Sequence, residues 1–302
     1  MRISSSGNII KIGSLQKGLI LDMPLAEPYT EAGVDLVTNG TFTGSATGWS
    51  TGTGWAYGTN NIVATAAIGL LSQNNILVVD KTYFYSFDVG YTSGTVKLGS
   101  SHKVWKTVTA TGTYTGIHTV VAGASADLYF GVTTNFTGTL DNIIIKELDG
   151  TTKDRTPQGN DGTVSGATIT DSSYSFTTND LITIGNVGTT AKTISFWINP
   201  VSTTESILEE IDNVGILFNA GTIEYTSWDN CFFNGVDTNT ITTGWHHILL
   251  TSTTDVDVSA LRLGLVDATY FEGELAKLYI WNHVLSAKER AQDYQRHRNT
   301  YE

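Results

Sequence analysis

Cysteine is nearly absent: Cys231 is the one thiol in 302 residues, so no disulfide can close within the chain. Charge is scarce, at 15% of residues, and basic charge is scarcer still. Lys and Arg number 17 against 29 Asp and Glu, giving a net charge of −12 and a pI near 4.8. Such a chain lacks the basic face that grips a phosphate backbone, which argues against nucleic acid as a partner. No run approaches the roughly 18 apolar residues of a spanning helix, so no membrane insertion is expected. The opening MRISSSGNIIKIGS lacks the apolar core of a secretory leader, and no export signal is expected there.

What is present is aromatic or polar without charge. With 7 Trp, 13 Tyr and 11 Phe, rings can fill cores and leave some for a binding surface. That content, with so little charge, is not the composition of a disordered chain. Period-2 alternation dominates. Within 82–89, Tyr83, Tyr85, Phe87 and Val89 share one face, and Phe84, Ser86 and Asp88 the other. Within 193–198, Ile194, Phe196 and Ile198 oppose Ser195 and Trp197. Similar runs occur at 61–67, 75–79, 95–98, 127–132, 142–147, 181–184, 215–218, 246–251 and 277–281. Gly, Asn, Asp and Thr separate them at the spacing of a β-sandwich. One helix is evident. Ser286 and Glu289 form an S-x-x-E capping box that predicts a helix from about Ala287 through AKERAQDYQRHR. Its mixed charges read as solvated, with Tyr294 touching the sandwich. Composition shifts near residues 34 and 149; the stretch between is poor in charge and rich in Gly and Thr, which suggests a separate unit.

Four segments of the C-terminal half carry a resemblance: DRTPQGNDGTVSG (154–166), LITIGNVGTTAKTISFWINP (181–200), GWHHILLTS (244–252) and FEGELAKLYIWNHVLSAKER (271–290). Their order resembles the laminin-G-like, concanavalin A-like lectin domain. That family opens with an apolar strand before the Gly/Asn-rich turn, and KGLILDMPL at 17–25 is the segment that fits. The middle stretch has LVTNGTFTGSATGWS (36–50), SQNNILVVDKTYFYSFDV (72–89) and GTLDNIIIKEL (138–148). It resembles the galactose-binding-like jelly roll of carbohydrate-binding modules. The expected fold class is therefore all-β: two jelly-roll β-sandwiches, one inserted in the other, with a short C-terminal helix. Residues 1–34 form an N-terminal arm and first strand, 35–148 the inserted jelly roll, and 149–302 the remainder of the lectin-like domain. Insertions of this kind succeed where the ends of a surface loop lie close together.

For sugar binding, a ring stacks on the pyranose while amides and carboxylates read its hydroxyls. The candidates are Trp55, Tyr57, Tyr91, His102 and Trp105 in the insert, and Trp228, Asp229 and Asn230 in the lectin-like domain. Trp105 stands out for its polar context, SSHKVWKTV. Trp49 and Trp245 read as structural, and Trp197 as lining the outer sheet surface or lying under a loop. Each of the candidate rings has packing as its competing reading. The resemblance also implies a structural calcium. Asp154, Asn160 and Asp161 are the candidates in DRTPQGNDG, and Asp141 beside Asn142 in the insert. Against it, Ala276 stands where the lectin-like family usually has an acid, and Thr41 where the insert's family often has one. The competing reading is a turn whose Asp and Asn side chains bond their own backbone.

Catalysis has little support. Glu210 and Asp212 alternate onto one strand face, but Val214 and Gly215 stand where glycoside hydrolases of the concanavalin A-like family carry a third acid. A solvated strand edge is the expected setting for the pair. His246 and His247, adjacent on a strand, point to opposite faces and cannot easily share a metal.

Both resemblances together are common in virion proteins of tailed bacteriophages. They imply a non-enzymatic virion-surface protein, in capsid decoration, tail or fibre, that adheres to cell-surface or environmental glycans. Its other partners would be virion proteins, in many copies or as a homo-oligomer. A virion protein made in the host cytoplasm and released by lysis needs no leader. A purely structural virion subunit is the alternative, and a glycoside hydrolase of concanavalin A-like fold the third.

Overall fold

The computed structural model describes residues 15–25, 33–100, 103–121, 123, 126–148, 150–170 and 172–302. The fold is all-β, with two jelly-roll sandwiches and one C-terminal helix. The chain divides into two compact units: Met1–Glu27 with Gly150–Glu302, and Pro28–Asp149. The middle unit begins before the composition shift near 34. Gly33 N–H donates to Glu147 O at 2.9 Å and Leu36 N–H to Ile145 O at 2.7 Å, tying this stretch to the strand Leu128–Leu148.

In the interrupted unit, one antiparallel sheet runs Thr168–Ile169, Tyr174–Phe176, Gly273–Trp281, Ala191–Pro200, His246–Val256, Asn230–Phe233 and Val236–Asp237. The segment KGLILDMPL supplies Leu19–Met23, which pairs with Gly273–Trp281 so that Met23 opposes Leu278. The facing sheet runs Thr151–Thr152, Gly162–Ser165, Leu181–Gly185, Leu261–Leu263, Glu205–Ile211, Val214–Asn219 and Thr222–Glu224. Alternation sends Ile194, Phe196 and Ile198 into the core between the sheets, where they join Ile248, Leu250, Leu278 and Ile280. Truncating one such side chain to Ala costs about 2–5 kcal/mol. Cys231 shares this core, and burial pushes its thiol up to about 12, far from the range of a reactive cysteine.

Both central strands are buried on their second face as well. Trp197 points outward, into a cluster with Ala276 and Tyr301. The cover is the helix Ala287–Tyr301. Ser286 caps it: its Oγ accepts Glu289 N–H at 3.4 Å, and the Glu289 carboxylate accepts Ser286 N–H at 2.9 Å. Tyr294 and Tyr301 stack on Trp197 with ring centroids 6.0 and 5.0 Å away. The Tyr301 hydroxyl donates to Ser172 O at 2.7 Å. The helix is not solvated along all its charges: Asp293 is buried against the sheet, with 1% exposure.

The middle unit is organised by two long strands, Thr82–Ser100 and Leu128–Leu148, paired from Thr82↔Leu148 to Gly99↔Tyr129. Register shifts between Ser86 and Val96 bend this pair, as bulges do, so that it serves both layers of the sandwich. Gly94 lies in the bend at φ 86°, where a Cβ would sit 2.1 Å from Asn135 O. Only glycine fits there. Thr82–Ser100 also pairs with Gly112–Thr119 and Lys103–Val108, and Leu128–Leu148 with Leu71–Gln73 and Ile62–Ala67. Tyr83, Tyr85, Phe87 and Val89 face the core with Phe42, Trp49 and Phe130.

Candidate functional site

The sequence-derived sugar candidates of the middle unit fall into two groups. Trp55 is 5% exposed in the core, its indole N–H donating to Gly69 O at 2.9 Å and its ring 5.8 Å from Phe136. It offers no face to a sugar, which corrects its candidacy: alternation on Trp55–Tyr57 turns it inward. Tyr91 packs on the same Phe136 and donates to Gly94 O at 3.1 Å, while Tyr57 is exposed beside Asn60. His102 lies outside the described residues.

Trp105 belongs to a different group and is half-buried. It sits on Lys103–Val108, stacked on His118 at 4.8 Å and tilted against Tyr85 at 6.1 Å, with its indole N–H directed to Ser100 Oγ at 3.2 Å. The Tyr85 ring can lie there because its strand partner is Gly116, where a Cβ would come within 2.4 Å of the Tyr85 hydroxyl. Burial holds the His118 imidazole below its ordinary value, so the ring against Trp105 is neutral near pH 7. Tyr114, half-buried, has Lys106 Nζ over its ring at 5.8 Å. The result is a group of partly exposed rings, Trp105, His118 and Tyr114, packed against the buried core that includes Tyr85, with the Lys106 ammonium over Tyr114. Sequence reading had singled out Trp105 but not His118 or Tyr114; the alternation of GTYTGIHT (112–119) is the signal that would have found them.

In the interrupted unit, Trp228, Asp229 and Asn230 do not converge. Trp228 is 5% exposed and donates its indole N–H to Glu210 within the core. Asp229 is turned outward and accepts Thr253 N–H and Oγ1–H, both at 2.7 Å, which hold its carboxyl below the usual range. Asn230 is exposed, with Nδ2 at 3.4 Å from Thr251 Oγ1. Trp228 therefore leaves no ring for stacking, a second correction.

Glu210 and Asp212 are corrected as well. The strand Glu205–Ile211 is buried without interruption from Glu205 to Glu210 instead of at alternate residues, so that Glu209 and Glu210 are both buried, each 1% exposed. Glu209 pairs with Arg262 and accepts Asp267 N–H at 3.2 Å. Loss of water pushes the Glu210 carboxyl up, against the opposing pull of hydrogen bonds from Trp228 and Ser227. Asp212 lies in the exposed turn beyond the strand end. The pair is neither a solvated edge nor the two facing carboxylates that glycoside hydrolysis requires.

The proposed calcium ligands organise their own loop. Asp154 Oδ1 accepts the N–H groups of Asp22 and Thr156, at 3.1 and 2.9 Å. Oδ2 accepts Thr156 Oγ1–H and Asn160 N–H, at 2.8 and 2.9 Å. Asp161 accepts Asp154 N–H at 3.0 Å and the Lys153 ammonium at 3.1 Å. Hydrogens fill the directions a cation would need, and an ammonium sits beside them, so these residues do not fit a calcium ion. In the insert, Asp141 opposes Asp88 and accepts Asn142 N–H at 2.7 Å. Asp88 is occupied by Thr113 Oγ1–H at 2.5 Å and Asn142 Nδ2–H at 2.7 Å. Among the described residues, no group of three His, Cys, Asp or Glu side chains could hold a metal ion.

His246 and His247 diverge as adjacent strand residues must. His246 bonds Asn234 and Thr242 at 3.1 and 3.0 Å, and His247 turns under the helix to Asp293.

No family model matches the chain, and no curated protein matches it. Among solved structures, the N-terminal CBM22-1–CBM22-2 tandem domain from Paenibacillus barcinonensis Xyn10C is similar at 14% identity and a TM-score of 0.31. The match covers 85% of this chain and 92% of that one.

Proposed function

We propose that this protein is a non-enzymatic adhesion module that binds glycans through the Trp105 face of the middle unit. One observation carries the reading: Trp105 is half-buried, stacked on His118 and packed against Tyr85, so that a large ring is fixed in place while part of it stays exposed. A rigid ring costs little entropy on binding and stacks on the C–H face of a pyranose. The single-site affinity of such a face is weak, and display in many copies raises it by avidity. The sequence resemblances of both units support placing those copies on a virion surface, among other virion proteins. The alternative, a structural subunit without sugar affinity, predicts a face that packs against a neighbour instead.

A glycan array probed with the multivalent protein tests the reading. Binding that falls at least tenfold in Trp105→Ala, at unchanged melting temperature, is the expected result. Equal binding by both proteins, or none by either, overturns it. Co-sedimentation of the protein with purified particles tests the virion placement separately.

A further inference from the structure

We infer that a second site, beneath the C-terminal helix of the interrupted unit, takes one neutral sugar ring. A cavity of about 330 Å³ lies between this helix and the hairpin formed by Asn230–Phe233 and Val236–Asp237. That is the small end of the range for ligand pockets, about 300–1,000 Å³, and suits a single ring better than an extended chain. It lies in a different unit from Trp105, so the two sites stand or fall separately.

The walls have the chemistry of a sugar's two aspects. Leu249 and Phe232 from the sheet, with Ala287, Ala291 and Tyr294 along one helix face, give an apolar surface for ring C–H groups. The polar groups are few and fixed. Arg290 lies 4.1 Å over the Phe232 ring, and its Nη1–H donates to Leu285 O at 2.8 Å. Asp237 lies on the exposed arm of the hairpin, and its carboxylate takes no hydrogen bond from the described residues. One cation and one anion lining the same cavity favour a neutral ligand with hydroxyls over a carboxylate or phosphate.

A further polar group is His247, which lines the cavity and is 2% exposed. Its Nε2 is 3.0 Å from Asp293 Oδ2, while its Nδ1 is buried with no hydrogen-bond partner among the described residues. In the neutral ring the Asp293 carboxylate places the proton on Nε2, leaving Nδ1 as an acceptor. The opposite lip is equally fixed. Asn234 Oδ1 accepts His247 N–H at 2.8 Å, and the Asn234–Gly235 turn, at φ 50° and 80°, has the backbone signs of a tight hairpin.

Saturation-transfer NMR on the full chain tests the site, with D-glucose, D-galactose and N-acetyl-D-glucosamine as neutral probes and D-glucuronate as the charged one. At least one neutral sugar is expected to receive saturation at millimolar concentration, with glucuronate weaker. Ala291→Trp fills the cavity from an exposed helix position and is expected to abolish the signal. Asp237→Asn is expected to weaken it severalfold, and Trp105→Ala to leave it intact. Should Ala291→Trp not fold, Asp237→Asn decides. Silence from every neutral sugar, preference for glucuronate, or signals unaffected by the pocket variants that fold would overturn the proposal. Signals lost only in Trp105→Ala would overturn it and leave the first site standing.

Discussion

His247 Nε2 lies 3.0 Å from Asp293 Oδ2, and the two side chains are 2% and 1% exposed. This contact pins the middle of the C-terminal helix to the central strand His246–Val256. Removing one member of a buried hydrogen-bonded pair leaves the other unsatisfied, at about 1–3 kcal/mol. Asp293→Ala is therefore expected to lower the urea midpoint by that equivalent. Asp293→Asn keeps an acceptor for the imidazole N–H and should lose less. Equal midpoints for Asp293→Ala and the parent protein would show that the pair does not hold the helix.

The Glu210–Trp228 bond gives a pH dependence with a definite sign. Burial raises the folded Glu210 carboxyl above its ordinary 4.5, so the folded state binds its proton more tightly than the unfolded chain. Its favourable contribution is complete below pH 4.5 and is lost as pH rises through the folded value. Glu210→Gln retains an acceptor for the Trp228 indole N–H and cannot ionise. Relative to the parent, the variant should gain stability from acid to neutral pH. Urea unfolding at several pH values measures the gap; a gap that stays constant or narrows with rising pH contradicts the assignment.

The Asp154 loop is held by the chain's own donors. Chelator is accordingly expected to leave the melting temperature unchanged, and millimolar calcium to leave it unchanged too. Asp154→Ala strands buried donors and is expected to cost about 1–3 kcal/mol. A melting temperature that drops in EDTA and recovers in calcium would show that a cation, not the N–H groups, organises this turn.

Much of this arrangement is legible in the chain. Alternation within 82–89 and 193–198 names residues that do face the two cores, and the Ser286–Glu289 box marks the first turn of the helix within a residue. Legibility ends where regularity does. The strand Glu205–Ile211 is buried at every residue from Glu205 to Glu210, which encloses two consecutive acids that a strict two-residue period cannot foresee. Asp293 looks like one more solvated charge until the outward Trp197 and His247 require a cover. The cavity's hairpin did carry a local sign, Asn234–Gly235 between Phe233 and Val236, which is among the strongest short-range hairpin signals. Alternation puts Tyr114 and His118 on one face, but their meeting with Trp105 and Tyr85 depends on the pairing of three strands, which no local spacing encodes.

The last expectation concerns how one sandwich tolerates another in its chain. In the middle unit, Gly33 N–H reaches Glu147 O at 2.9 Å, so its two ends leave side by side. In the interrupted unit, Arg155 N–H donates to Asp22 O at 2.9 Å and Asp22 N–H to Asp154 Oδ1 at 3.1 Å, so its two cut ends also meet. Each unit has its own buried cluster, built from its own residues alone. Residues 28–149 expressed alone should therefore melt cooperatively, with the β-rich circular dichroism of a sandwich. Residues 1–27 joined to 150–302 by a short Gly/Ser linker should do the same, because closing so short a gap costs little loop entropy. If the excised piece folds and the spliced remainder collapses, the strand Leu19–Met23 is not held by Gly273–Trp281 alone, and the pairing of Met23 with Leu278 needs the insert to form.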